Sequence, residues 1–86
     1  MNKKIRIYTT NSCAYCVMVK RWLESKGHTW EEVNIEENPD RVNEAFEISG
    51  QLAVPVTTVM DMNREDDAPD VIVGYNLAKL SAALAA

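Results

Sequence analysis

The stretch Ile5-Arg6-Ile7-Tyr8-Thr9-Thr10-Asn11-Ser12-Cys13-Ala14-Tyr15-Cys16 decides the reading of this chain. Ile5 to Tyr8 is β-branched and aromatic, the composition of a short strand. Thr9 to Ser12 is polar and reads as a loop. From Ala14 to Lys26, Cys16, Val19, Trp22 and Leu23 recur at helical spacing, with Lys20, Arg21 and Glu24 on the other side. Gly27 then stands where a helix stops. A strand, a short loop and a helix in succession put Cys13 at the helix N-terminus and Cys16 one turn further in.

Working outward, Thr29 to Ile35 reads as a second strand, half-polar through Glu31, Glu32 and Asn34, as at a sheet edge. Asn38-Pro39-Asp40 has the form of a helix start: a capping side chain, proline in the first turn, then an acid. Val42, Ala45 and Phe46 are expected to form that helix's apolar face, and Ser49-Gly50 its end. Val56 to Met60 is a third strand and Val71 to Val73 a fourth. The polar, acidic stretch Asp61 to Asp70 reads as an exposed hairpin loop between them. Asn76 caps a last helix with Leu77, Leu80 and Leu84 at helical spacing. The order β-α-β-α-β-β-α predicts an α/β fold. Its first two strands are parallel with a right-handed crossover, its last two an antiparallel hairpin, and helices flank a four-stranded mixed sheet.

The chain has 86 residues, a hydrophobic share of 47% and a formal net charge of −4. That length predicts one domain over 1–86. A chain this short buries only roughly 60–65% of its unfolded surface, which leaves no room for a large internal cofactor. With 13 acidic against 9 basic residues, the chain lacks the basic face that nucleic acid requires. Its apolar runs fall short of the roughly 20 residues of a membrane span. No signal-peptide pattern follows the charged start, so a cytoplasmic location is expected.

Cys13 and Cys16 are too few for a disulfide scaffold, and so short a loop staples nothing distant. In a reducing compartment the spacing means chemistry or metal. Unpaired N–H groups and the positive end of the helix dipole favour a thiolate at Cys13. The expected pKa falls from about 8.5 into the roughly 3.5–7.5 range of such cysteines. Cys16 is the more buried and less activated thiol. Cys13 then attacks a substrate disulfide, and Cys16 displaces the product. A pair of inert buried thiols fits Cys16 but not an exposed Cys13. A mononuclear zinc site needs four ligands, and only His28 joins the two cysteines. C-type haem attachment needs His where Val17 stands. A [2Fe–2S] cluster bridged between two chains is the alternative reading.

Val54-Pro55 is the second informative feature. Proline at the mouth of a strand marks an edge or a bend. A cis bond there would turn Val54 outward and free its backbone for an extended peptide; a trans bond would merely start the strand.

Cys13-Ala14-Tyr15-Cys16 after Ile7-Tyr8-Thr9-Thr10, then Val54-Pro55, then Val73-Gly74-Tyr75 before the last helix, resembles the glutaredoxin family of the thioredoxin superfamily. Within that family the chain is similar to the small glutaredoxin-like redoxins, the NrdH-redoxin and mycoredoxin group. The resemblance implies a thioredoxin fold, a cis Pro55 facing the cysteines, Cys13 as nucleophile and Cys16 as resolving thiol. It also implies Val54 as the backbone pairing point, with Tyr15, Thr10, Gly74 and Tyr75 bordering the substrate. No tightly bound cofactor is implied. Glutathione or another low-molecular-weight thiol serves as co-substrate, or a flavoprotein reductase as electron donor. The partners are disulfide-containing proteins, and the chain is expected to be a monomer. Three positions depart from the family pattern. Ala14 stands where proline is usual, Thr10 where many members carry lysine, and Tyr75-Asn76 where a second glycine and acids are usual. Two charged glutathione contacts are therefore missing.

His28 reads as a solvated turn residue, and Trp22 and Trp30 as packing. Tyr8 either backs the site or packs. Lys20 and Arg21 either steer anionic thiols or form a solvated face. The 61–70 loop is either a solvated turn or a dock for a basic partner.

Overall fold

The structure is a computed structural model that describes residues 3–50, 54–61 and 69–84. The elements are β1 (Lys3–Thr9), α1 (Ala14–Ser25), β2 (Glu31–Asn34), α2 (Val42–Ser49), β3 (Val56–Asp61), β4 (Asp70–Val73) and α3 (Leu77–Leu84). A 3-10 turn, Pro39–Arg41, leads into α2. The strands form one sheet in the order β2-β1-β3-β4. β1 pairs with β2 in parallel, and the β1–β3 and β3–β4 pairs are antiparallel. This is the topology expected from the sequence. The greater part of the expected 61–70 loop lies outside the described residues.

Strand alternation sorts side chains into two layers. Ile5 and Ile7 of β1, Val59 of β3 and Ile72 of β4 pack with Val19 and Leu23 of α1 and with Leu80, Ala83 and Leu84 of α3. Trp22, Trp30, Tyr75 and Leu77 pack against that cluster as half-buried residues. On the opposite face Tyr8, Val33 and Val56 meet Ala45 of α2, flanked by Ile35, Ile48 and Val71. Both edge strands are short, which limits exposed edge backbone, and β2 carries the exposed Glu31 and Glu32.

Helix ends follow local chemistry. α1 closes with Gly27 at φ 78°, where Gly27 N donates to Glu24 O and His28 N to Leu23 O, both at 3.0 Å. This is the paired-bond stop that a left-handed glycine permits. Asn76 Oδ1 accepts from Lys79 N at 3.1 Å, capping α3 as expected.

Four expectations are corrected. Thr9 is not loop but the last residue of β1 and fully buried, because pairing with Asn34 extends the strand. The second strand is confined to Glu31–Asn34, without Thr29, Trp30 or Ile35. Asn38 makes no side-chain cap; its Nδ2 turns back to Asn34 O at 3.0 Å. Phe46 is 44% exposed rather than facing the core. On α2 the inward side is set by Ala45 and by Glu44, which accepts from the buried Tyr8 hydroxyl. Phe46 stands about 100° round the helix from Ala45, on the side away from Glu44.

Candidate active site

α1 begins at the cysteines because Cys13 is its N-cap, with extended backbone (φ −123°, ψ 101°). The Cys13 sulfur accepts the main-chain N–H of Cys16 at 3.1 Å. Ser, Thr, Asp or Asn normally occupies this role with an oxygen; here sulfur does. An N–H aimed at that atom, at the positive end of a helix, favours negative charge on it. Cys13 and Cys16 form a disulfide, with Cα atoms 5.2 Å apart. Cys13 is half-buried, whereas Cys16 is only 1% exposed, so Cys13 is the more accessible cysteine and Cys16 is shielded.

The Val54-Pro55 bond is cis. Pro55 is fully buried and directly precedes β3, whose Val56 pairs with Tyr8. It therefore sits abreast of Thr9, where the chain leaves β1 for Cys13. Gly74, at φ 83°, donates its N–H to Pro55 O at 2.8 Å. That bond ties the turn after β4 to the cis-proline, and Tyr75 next to it stacks on Tyr15, with ring centroids 6.3 Å apart and planes at 18°. Cys13, Cys16, Tyr15, Pro55, Gly74 and Tyr75 are thus linked through one end of the sheet. Val54 adjoins them and is half-buried. Thr10, half-buried in the loop before Cys13, is placed beside this group by chain connectivity. Tyr15, Val17 and Met18 in the first turns of α1 are exposed, leaving an apolar rim beside the disulfide.

Other candidates resolve into structural roles. Lys20 Nζ lies 3.1 Å from both carboxylate oxygens of Glu32, whose Oε2 accepts from Thr9 Oγ1 at 2.8 Å. Burial raises the Glu32 pKa, but the Thr9 and Lys20 hydrogen bonds outweigh it and the carboxyl ends below its ordinary value. The Tyr8 hydroxyl points to Glu44 on the α2 face of the sheet rather than toward α1. Burial first, and then Glu44, raises the Tyr8 pKa. Among the described residues, no three His, Cys, Asp or Glu side chains cluster closely enough to hold a metal ion.

With this geometry in view, comparison with known proteins is specific. A glutaredoxin family profile matches residues 5–62. The chain belongs to the glutaredoxin family. It is accordingly a thiol–disulfide oxidoreductase with a thioredoxin fold. A glutaredoxin-like protein NrdH from Lactococcus lactis subsp. lactis (strain IL1403) is 39% identical over 57 residues, covering 66% of this glutaredoxin and 78% of the relative. The solved NrdH-redoxin from Escherichia coli matches with TM-score 0.65 at 29% identity, covering 85% of this chain and 84% of its own. A glutaredoxin from Archaeoglobus fulgidus shares the fold, with TM-score 0.78 at 24% identity, covering 96% of this chain and 87% of its own.

Asn11, Asn34 and Glu36, which hold the loop before Cys13, were not singled out from the sequence. Asn34 followed two residues later by Glu36 has the spacing of an Asx turn, the only local signal of that role.

Proposed function

We propose that this glutaredoxin is a dithiol reductant of protein disulfides and of mixed disulfides with small thiols, acting in the cytoplasm as a monomer without a resident cofactor. The Cys13 thiolate attacks one sulfur of the substrate disulfide. The S–S bond breaks, a mixed disulfide forms, and the first product leaves as thiolate. Cys16 then loses its proton and attacks Cys13 Sγ. The second product leaves as thiolate, and the two departing sulfurs gain the two electrons that Cys13 and Cys16 lose. The observation that carries this reading is the N-capping sulfur of Cys13, bound by the Cys16 N–H and paired with a shielded Cys16.

The site supports an extended peptide more than glutathione. Val54, ahead of the cis-proline, offers its backbone to a strand-like ligand. Tyr15, Val17 and Met18 offer apolar surface. Asn76, where related proteins hold the glutathione amine with acids, is spent on capping α3. The Escherichia coli NrdH-redoxin has a thioredoxin-like activity profile. By that likeness the electron donor here is a flavoprotein reductase.

The test is to re-reduce oxidised protein with NADPH and thioredoxin reductase, and separately with glutathione, NADPH and glutathione reductase. Faster turnover with the flavoprotein supports the reading; exclusive turnover with glutathione overturns the choice of donor. Cys13→Ser should abolish reduction of disulfides, whereas Cys16→Ser should retain turnover of glutathione mixed disulfides only. Full dithiol activity in Cys13→Ser would overturn the mechanism. A visible iron–sulfur absorption with dimerisation after anaerobic reconstitution would favour a bridged cluster instead.

A further inference from the structure

The loop that delivers Cys13 is held by a closed ring of hydrogen bonds. Asn11 N donates to Glu36 Oε1 at 3.0 Å, and Asn11 Nδ2 donates to Glu36 Oε2 at 3.2 Å. Asn34 Nδ2 donates to Asn11 Oδ1 at 2.8 Å. The ring closes where Glu36 N donates to Asn34 Oδ1 at 2.9 Å, joined by Glu37 N at 3.2 Å. Ile35 N, between the two ring members, donates to Thr9 O at 2.9 Å. The segment leaving β2 is thereby fastened to the segment leaving β1, two residues before the reacting sulfur.

The ring has one allowed polarity. A carboxylate only accepts, and a main-chain N–H only donates. Glu36 therefore requires the amino group of Asn11 toward it. The two N–H groups of Glu36 and Glu37 require the oxygen of Asn34 toward them. Those two constraints leave the Asn34 amino group facing the Asn11 oxygen, which is the one complementary arrangement. Replacing the carboxylate by an amide of the same shape inserts a second amino group. Flipping any member then only moves the donor–donor conflict elsewhere in the ring.

We propose that Asn11, Asn34 and Glu36 are positioning residues for the thiol–disulfide reaction. Their ring fixes the Thr10–Ser12 loop so that Cys13 Sγ stays on the Cys16 N–H. The inference rests on the reading of Cys13 as nucleophile.

The test uses the full chain reduced, in a Cys16→Ser background so that a single thiol reports. The rate of alkylation by iodoacetamide is followed against pH. The initial rate with 5,5′-dithiobis(2-nitrobenzoic acid) is measured without the background change. Glu36→Gln should raise the pH midpoint of Cys13 alkylation. It should also slow the disulfide reaction at neutral pH by about three- to tenfold, the scale of one ordinary net hydrogen bond. Asn11→Asp alone should do the same, by setting two carboxylates against each other. The pair Asn11→Asp with Glu36→Gln restores complementarity, because the new carboxylate accepts from both neighbouring amides while the new glutamine oxygen accepts the main-chain N–H. It should return both readouts to within about twofold of wild type, the signature of coupled residues. Unchanged midpoint and rate in the single variants, even with lowered thermal stability, overturn the proposal. A lowered midpoint overturns it as well, since Glu36 would then act through its charge. Failure of the pair to restore overturns the polarity argument. A wild-type midpoint near about 8.5, that of free cysteine, would instead defeat the reading of Cys13 itself.

Discussion

Tyr75 stacks on Tyr15 across the entrance to the disulfide, joining the turn after β4 to the first turn of α1. Tyr15 is 60% exposed while Tyr75 is half-buried against the α1–α3 core, so the pair presents Tyr15 as an aromatic surface braced from the core. Removing Tyr75 leaves Tyr15 without its rest. Tyr75→Ala should raise KM for a protein disulfide about two- to tenfold, the range of a single aromatic pair. It should leave kcat unchanged, because the N–H that holds the attacking sulfur comes from the α1 main chain at Cys16 and from neither ring. Tyr75→Phe keeps the stacked ring and should behave as wild type. Steady-state kinetics on both variants decide it, and a fall in kcat at constant KM would contradict the assignment.

Below the other face of the sheet, Glu44 gathers Arg6, Tyr8 and Arg41. Arg41 Nη2 lies 3.0 Å and Arg6 Nη1 3.4 Å from Glu44 Oε2. Arg41 first, and then Tyr8, hold the Glu44 carboxyl below its ordinary value. A carboxyl whose folded pKa is depressed stabilises the fold above its unfolded pKa, and that contribution is lost as pH falls through the folded value. The Tm difference between wild type and Glu44→Gln should therefore be widest near neutrality. It should close on acidification below the usual carboxylate range. A gap independent of pH would show that Glu44 acts by packing alone. At neutral pH, Glu44→Ala strands the buried Tyr8 hydroxyl and should cost about 1–3 kcal/mol, whereas Tyr8→Phe removes the need for an acceptor and should cost less.

The contrast between these two regions explains what the sequence discloses. β1, α1 and the place of both cysteines are legible because each depends on neighbours in the chain: a β-branched run, a polar break, a 3.6-residue apolar period and Gly27. The inward side of α2 is not legible, since Arg6 and Tyr8, which draw Glu44 toward the sheet, lie 38 and 36 residues before it. Asn38 has the local form of a cap, yet its amide serves Asn34. The loop before Cys13 looks free in sequence, but its anchor Glu36 comes 25 residues after Asn11. The cis state of Pro55 is open from the residues alone and follows only from the family resemblance.

Phe46 tests that account directly. A phenylalanine in the α2 core would cost about 3–5 kcal/mol on truncation to alanine. At 44% exposure Phe46 has already left much of its ring in water. Phe46→Ala should cost under about 1 kcal/mol by urea unfolding, as surface substitutions do. A cost in the core range would return Phe46 to the packed face of α2.

Thr57 supplies the sharpest stability prediction. It is fully buried, sits opposite Ile7 on β1 and Ile72 on β4, and faces the layer that holds α1. Among the described residues its Oγ1 has no hydrogen-bond partner. A buried hydroxyl without a partner costs about 1–3 kcal/mol relative to water. Valine has nearly the same shape and no such penalty. Thr57→Val should therefore stabilise the oxidised protein by about 1 kcal/mol, a rise in Tm of about 4–8 °C for a domain this size. The rate of disulfide reduction should not change. A lower Tm would mean that the hydroxyl has found a partner. A slower second step at unchanged Tm would mean that it serves the Cys16 sulfur once the disulfide opens.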